Sequence, residues 1–274
     1  MKSILVPFDF SPYAVAALKT AYKISQKSGA QILCVTIIPT ELDWDFLSDQ
    51  MKAKNAQIQQ EYDEAVEFLP NYLANILPVK TSLKSIVKIG VPWELILKTA
   101  KEFNPDLIVI GAYGKGYEDG EFIGSNLQKV LRNAHCPILA VKDSLDGNHF
   151  RKLAFASNFS ASASETFELL KPMVKLFRAS VHLVFINTPS HFENSSEIHE
   201  RMSQFVKGHE EITFHRHIYN HKETESGLIE FSEMHQIKWV ALVSGHHEKN
   251  PSYQIGTTET LIFQSELGVL SLKM

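Results

Sequence analysis

Two tandem α/β domains, each an open five-stranded parallel sheet in the order 3-2-1-4-5 with helices on both faces, are the fold this sequence predicts. Three observations predict it. Short apolar runs alternate with amphipathic stretches, the pattern occurs twice at a constant offset, and 274 residues are about twice the length of an ordinary domain.

The elements follow in order. Ser3 to Pro7 reads as a buried strand, and Ser11 opens a stretch to Ile24 with apolar residues at helical spacing. Gln31 to Ile38 is a second strand, and Trp44 to Leu77, rich in Lys, Glu, Gln and Ala, reads as helix. Ser82 to Ile89 is a strand, Trp93 to Phe103 a helix, and Leu107 to Ile110 a wholly apolar strand. A helix from Ser125 to Asn133 and a last strand from Pro137 to Val141 complete the first copy. Five strands separated by helices imply parallel pairing, because parallel neighbours need crossover connections.

The order then recurs. Leu153 to Ser160 aligns with Ile4 to Ser11 without a gap, and Ala179 to Ile186 aligns with Ala30 to Ile37 at the same offset. Trp239 to Val243 is set against Asp106 to Ile110, and Gly268 to Leu272 against Cys136 to Ala140. Domains at 1–143 and 150–274 with a polar linker at 144–149 are expected.

Composition narrows the function. A net charge of −4 offers no basic field for a nucleic-acid backbone. No apolar run approaches the length of a membrane span, and the N-terminal run is too short for a signal-peptide core. Cys34 and Cys136, the two cysteines, lie in apolar surroundings rather than in a disulfide framework. A cytoplasmic protein with no nucleic-acid or membrane partner is the expectation. Motifs of the commonest nucleotide-using and hydrolytic enzymes, Gly-x-x-x-x-Gly-Lys-Ser/Thr, Gly-x-Ser-x-Gly and His-Glu-x-x-His, are absent from the sequence.

One segment carries chemistry. After the fourth strand come Gly111-Ala112-Tyr113-Gly114, nine residues, then Gly124-Ser125 at the start of a helix. Glycines let backbone approach phosphate oxygens, and a helix N-terminus presents N–H groups to an anion. The place, beyond the carboxyl end of a parallel strand, is where open α/β sheets take ligands. The competing reading of an isolated Gly-x-x-Gly is a turn followed by a helix cap, a cap that Ser125 could supply.

This spacing resembles the Gly-two-Gly-nine-Gly-Ser/Thr signature of ATP-binding universal stress proteins. Val6-Pro7-Phe8-Asp9-Phe10-Ser11 and Cys136-Pro137-Ile138-Leu139-Ala140-Val141 look like that family's first and last strands. The resemblance covers essentially the whole chain and implies a Rossmann-like fold of the adenine nucleotide alpha hydrolase type. It places the adenine near Val35, Pro7, Asp9 and Phe10, with Ser11 beside them, and implies that Asp9 faces the nucleoside. Asp9 or Ser11 could equally cap the first helix. Ile110, Gly111, Ala112, Gly114, Gly124, Ser125 and Asn126 would line ribose and phosphates, with Lys115 as a phosphate partner. Three acids in the intervening loop, Glu118, Asp119 and Glu121, oppose an anion unless they point outward or share a divalent ion such as Mg. The family's pairing of last strands implies that the halves form a pseudo-dimer, with a homodimer of chains left open.

In the second copy the alignment puts Ser244, Gly245, His246 and His247 where Gly111 to Gly114 stand, and Asn158 in place of Asp9. Weak or absent ATP binding is expected there. Eleven of the twelve histidines lie from His149 onward. His215 and His217 alternate on one strand face, and together with His246 and His247 they are the candidates for a metal site, set against exposed or capping histidines and against a pH-sensing role. The leading expectation is an ATP-binding regulatory protein of the stress response, acting on unknown protein partners. The alternatives are a slow ATPase or phosphotransferase using residues 118–121, and a scaffold that binds no nucleotide.

Overall fold

The computed structural model describes residues 1–78, 81–115, 124–244 and 256–273. They fall into two units, Met1–Cys136 and Pro137–Met274.

In the first unit β1 is Ser3–Pro7 and α1 Pro12–Ser28. Helix α1 starts where its residues require. The Ser11 hydroxyl accepts from Ala14 N–H at 3.1 Å, and Pro12 stands at the first helical position, where a missing N–H costs nothing. It ends at Gly29, whose φ of 73° a residue without Cβ adopts freely. Ala14, Ala17, Leu18, Ala21 and Ile24 form its buried stripe. Then come β2 (Gln31–Pro39), α2 (Asp49–Lys54), α3 (Ala56–Ile76), β3 (Leu83–Gly90), α4 (Pro92–Phe103), β4 (Leu107–Gly111) and α5 (Ser125–Asn133). The strands lie parallel in the order β3-β2-β1-β4, with Ile4 opposite both Ile32 and Leu107. The helical stretch 44–77 is divided rather than single. Ser48 caps α2 through Met51 N–H, and Asn55 leaves helical geometry at φ −114°, its amide turning back to the Met51 carbonyl at 2.9 Å.

In the second unit β5 is Ile138–Val141 and β6 Lys152–Ala156. They are followed by α6 (Ala161–Phe177), β7 (Ser180–Asn187), α7 (Ser195–Phe205), β8 (Phe214–Asn220), α8 (Thr224–Met234), β9 (Trp239–Ser244), α9 (Thr257–Gln264) and β10 (Gly268–Lys273). The parallel order β8-β7-β6-β9-β10 is the expected 3-2-1-4-5. The strand at 137–141, expected to close the first sheet, falls within the second unit. There β5 runs antiparallel along β10, with Leu139 opposite Leu270. All four β5 side chains are buried, and a strand apolar on both faces is exposed to mispairing as a sheet edge; β10 covers it. Among the described residues no helix is long and apolar enough to cross a membrane.

Candidate functional site

The β1–α1 turn and the loop after β4 meet at the carboxyl ends of adjacent parallel strands. Pro7 pairs with Val35 on β2, and Leu5 pairs with Ile108 on β4, so the turn lies between Val35 and the segment Ile110 to Lys115. The chain leaves β1 toward β2 on one side and returns to β4 on the other, and such a switch in strand order is where open α/β sheets take ligands.

Phe10 turns the chain with φ 66°, a left-handed conformation that costs a side-chain-bearing residue about 1–2 kcal/mol. The turn is tied on three sides. Asp9 Oδ1 accepts from Ser11 N–H at 3.0 Å, Phe8 N–H donates to the Val35 carbonyl at 2.8 Å, and the Thr36 hydroxyl donates to the Phe8 carbonyl at 2.9 Å. Asp9 Oδ2 accepts from Lys115 N–H at 2.8 Å. Ser11, not Asp9, therefore caps α1, and Asp9 joins the turn to the glycine loop.

The loop itself is shaped by missing side chains. A Cβ at Gly111 would lie 2.7 Å from the Tyr13 carbonyl carbon and 2.9 Å from its oxygen, so β4 can approach α1 only without one. A Cβ at Gly114 would lie 3.1 Å from Asp9 Oδ2. Gly124 returns to the same place, its N–H directed at the Ala112 carbonyl at 3.4 Å, and it occupies the N-cap of α5. Ser125 is thus the first helical residue and not the cap. With Asn126 it is exposed at the helix start, where N–H groups face outward. Ala112 and Tyr113 are buried, and the Tyr113 ring meets Tyr13 edge to face at 5.0 Å.

The turn Pro7 to Ser11, Val35, the segment Ile110 to Lys115 and Gly124 to Asn126 thus lie at the carboxyl ends of β1, β2 and β4, with Ser11, Val35, Ile110 and Ala112 buried. Glu118, Asp119 and Glu121 lie outside the described residues. The donor set suits an anion next to a polar ring system: backbone N–H groups, a helix N-terminus and the Lys115 ammonium, with Asp9 as an acceptor for hydroxyl or amino groups. Thr36 and Tyr13 escaped sequence reasoning. So did an aromatic cluster in which Phe10 packs on Phe8, Phe68 and Tyr72 with ring centroids 5.2–5.9 Å apart. Phe68 and Tyr72, one helical turn apart on α3, carried the signal.

The second unit repeats the turn but not the loop. Phe159 has φ 56°, and Asn158 Oδ1 accepts from Ser160 N–H at 3.2 Å. Strand register corrects the alignment of the loop by one residue. Leu5 pairs with Ile108, and its counterpart Ala154 pairs with Val240, so Val243 and Ser244 take the places of Gly111 and Ala112. The left-handed residues Asn104 and Gln236, each three before its strand partner Leu107 or Trp239, agree. His246 then stands at the Gly114 position; it and His247 lie outside the described residues. Opposite Val243 the second unit has Ser162 where the first has Tyr13, a small residue facing a large one in exchange for the reverse. A cleft of about 380 Å³ remains, lined among others by Ser157, Asn158, Ser160, Ser162, Val243 and Thr257, with no charged side chain among its described lining. His215 and His217 share one face of β8, opposite His182 and Val184 of β7. Among the described residues no group of three or more His, Cys, Asp or Glu is set to hold a metal ion.

The family model described as the universal stress protein family matches residues 1–142. A universal stress protein of Methanocaldococcus jannaschii is 30% identical over 149 residues, covering 52% of this chain and 82% of the relative. One from Thermus aquaticus is 32% identical over 146 residues, covering 52% of this chain and 98% of its own. Along the full length, the crystal structure of a universal stress protein from Archaeoglobus fulgidus superposes with a TM-score of 0.76 at 20% identity, covering 99% of this chain and 98% of that one.

Proposed function

The chain belongs to the universal stress protein family, and we propose that its first unit binds ATP and thereby regulates contacts with protein partners in a cytoplasmic stress response. One observation carries the reading: the Asp9 carboxylate is bonded to the backbone of the glycine loop, beside the start of α5, at the carboxyl ends of β1 and β4. That arrangement offers an acceptor for the nucleoside and a bed of N–H groups for the phosphates. Lys115 would pair with phosphate, and Mg would be held through phosphate oxygens, shielding the acidic segment 118–121. The two copies, 1–143 and 150–274, would act as one nucleotide site and one modified partner. In the second unit Val243 fills the place of Gly111 and Asn158 that of Asp9, which favours no triphosphate there.

Gly114→Val tests the site. A branched side chain beside Asp9 Oδ2 would exclude phosphate, lowering ATP affinity at least about tenfold, about 1.4 kcal/mol. Wild-type protein should retain adenine nucleotide through purification, detected by mass spectrometry, and the variant should not. Equal retention by both would overturn the assignment.

A further inference from the structure

Four histidines from three segments of the sequence come together in the second unit on the α8-covered face of β7 and β8. His182 on β7 and His215 on β8 are register partners, with ring centroids 4.7 Å apart. His217, two residues along β8, lies on the same face. Its Nε2 is 3.0 Å from His182 Nδ1, and the two rings are nearly coplanar in orientation at 11°. His235, just past the end of α8, closes the group at 5.5 Å from His182 and 5.0 Å from His217. Phe231 of α8 covers it, 4.9 Å from His217 and 4.3 Å from His235.

Among the described residues no carboxylate pairs with any of the four rings. The charges acting on His182 are His215, His217, His235 and Lys152 of β6, whose ammonium also donates to the His235 carbonyl at 3.2 Å; those acting on His217 are His235 and His215. On α8, the Glu230 carboxylate is engaged by the Tyr219 hydroxyl at 2.8 Å and by His221 at 3.5 Å. The short contact between His182 and His217 requires one nitrogen to donate and the other to offer a lone pair. A second proton on each ring sets N–H against N–H, under an aromatic cover and beside a lysine.

We propose that this four-histidine cluster is an acid-responsive latch, which holds α8 on β7 and β8 while His182 and His217 are neutral and releases the end of α8 as these two rings take up protons. Burial is the largest cause holding both His182 and His217 down to about 4, with the neighbouring imidazoles adding to it. In an unfolded chain a histidine titrates near 6.5. The sign follows. Between about 6.5 and 4 the unfolded or opened form binds more protons than the closed form, so closure is complete at neutral pH and is lost as pH falls through that window.

Two measurements on the full chain test the latch. In an NMR titration of the histidine rings, at least two should have midpoints below about 5; midpoints of 6–7 for all would overturn the proposal. In hydrogen exchange corrected for intrinsic rates, α8 amides should lose at least about tenfold protection between pH 7 and pH 5. In His182→Gln/His217→Gln the change should shrink below about threefold. Unchanged protection in the wild type, or an equal loss in the double variant, would refute the latch. Should the double variant fail to fold, the ring titration and His217→Gln alone decide.

Discussion

Replacing Gly111 by alanine is the most direct probe of how the loop is built. The added Cβ would stand 2.7 Å from the Tyr13 carbonyl carbon, 2.8 Å from its Cβ and 2.9 Å from its oxygen, against an ordinary contact of about 3.4 Å or more. Two of these atoms are backbone, so α1 must move off β4 by about 0.7 Å, disturbing the packing of Ala14, Ala17 and Ala21. Overpacking of this kind costs about 3 kcal/mol, at the upper end of its range. The loss of unfolded-chain freedom on going from glycine to alanine returns about 0.7 kcal/mol. The net is about 2 kcal/mol, or a fall of about 7 °C in Tm for a unit of this size. Urea unfolding, with hydrogen exchange of the α1 amides to assign the loss to the first unit, measures it. Adding Tyr13→Ser should restore little, because that change leaves the backbone contacts in place. Gly114→Ala, whose Cβ meets only the movable carboxylate of Asp9, should stay within about 1 kcal/mol of wild type. A Gly111→Ala protein as stable as the parent, or full rescue by Tyr13→Ser, would refute the close-approach account.

Asp9→Ala removes the bonds to Ser11 and Lys115 N–H; stability should fall by about 1 kcal/mol in denaturant titration and ATP affinity by about tenfold, and an unchanged affinity would remove Asp9 from the site. In the second unit the Lys175 ammonium, 2.8 Å from Glu211, holds that carboxyl down to about 2, with Lys171 assisting at 3.5 Å. A depressed carboxylate contributes its stability above the ordinary value, about 4.5, and loses it as pH falls toward 2. Carboxyl NMR should place the Glu211 midpoint near 2 and find it raised toward the ordinary range in Lys175→Ala; an unmoved midpoint would contradict the pairing.

Much of the fold was legible because both copies use the same local devices. Ile4 to Ser11 and Leu153 to Ser160 align without a gap, and the structure gives them the same turn, with Phe10 and Phe159 both left-handed. The 44–77 helix was misread as continuous because composition is helical throughout. The break depends on Ser48 and Asn55, residues equally at home on an exposed helix face. The one-residue slip at β9 has a physical cause as well. Ile108, Val109 and Ile110 correspond in the repeat to Val240, Ala241 and Leu242, apolar runs with no internal marker of register. The usable markers lay beyond these three-residue runs, in Asn104 and Gln236 and in the exchange of Gly111 and Tyr13 for Val243 and Ser162. The candidate site was legible where it rests on glycines and caps, since those residue types answer to backbone geometry. Thr36 and Tyr13 were not, because their roles depend on packing between elements. His215 and His217 could be placed on one face from their spacing, whereas His182 and His235 join them only through strand register and the packing of α8.

The claim that the chain holds one nucleotide site and one modified partner is tested most directly by the stoichiometry of ATP binding to the intact protein, measured by calorimetry with magnesium present. One ATP per chain, abolished by Gly114→Val, is the predicted result. Two per chain, or one that survives Gly114→Val, would contradict it.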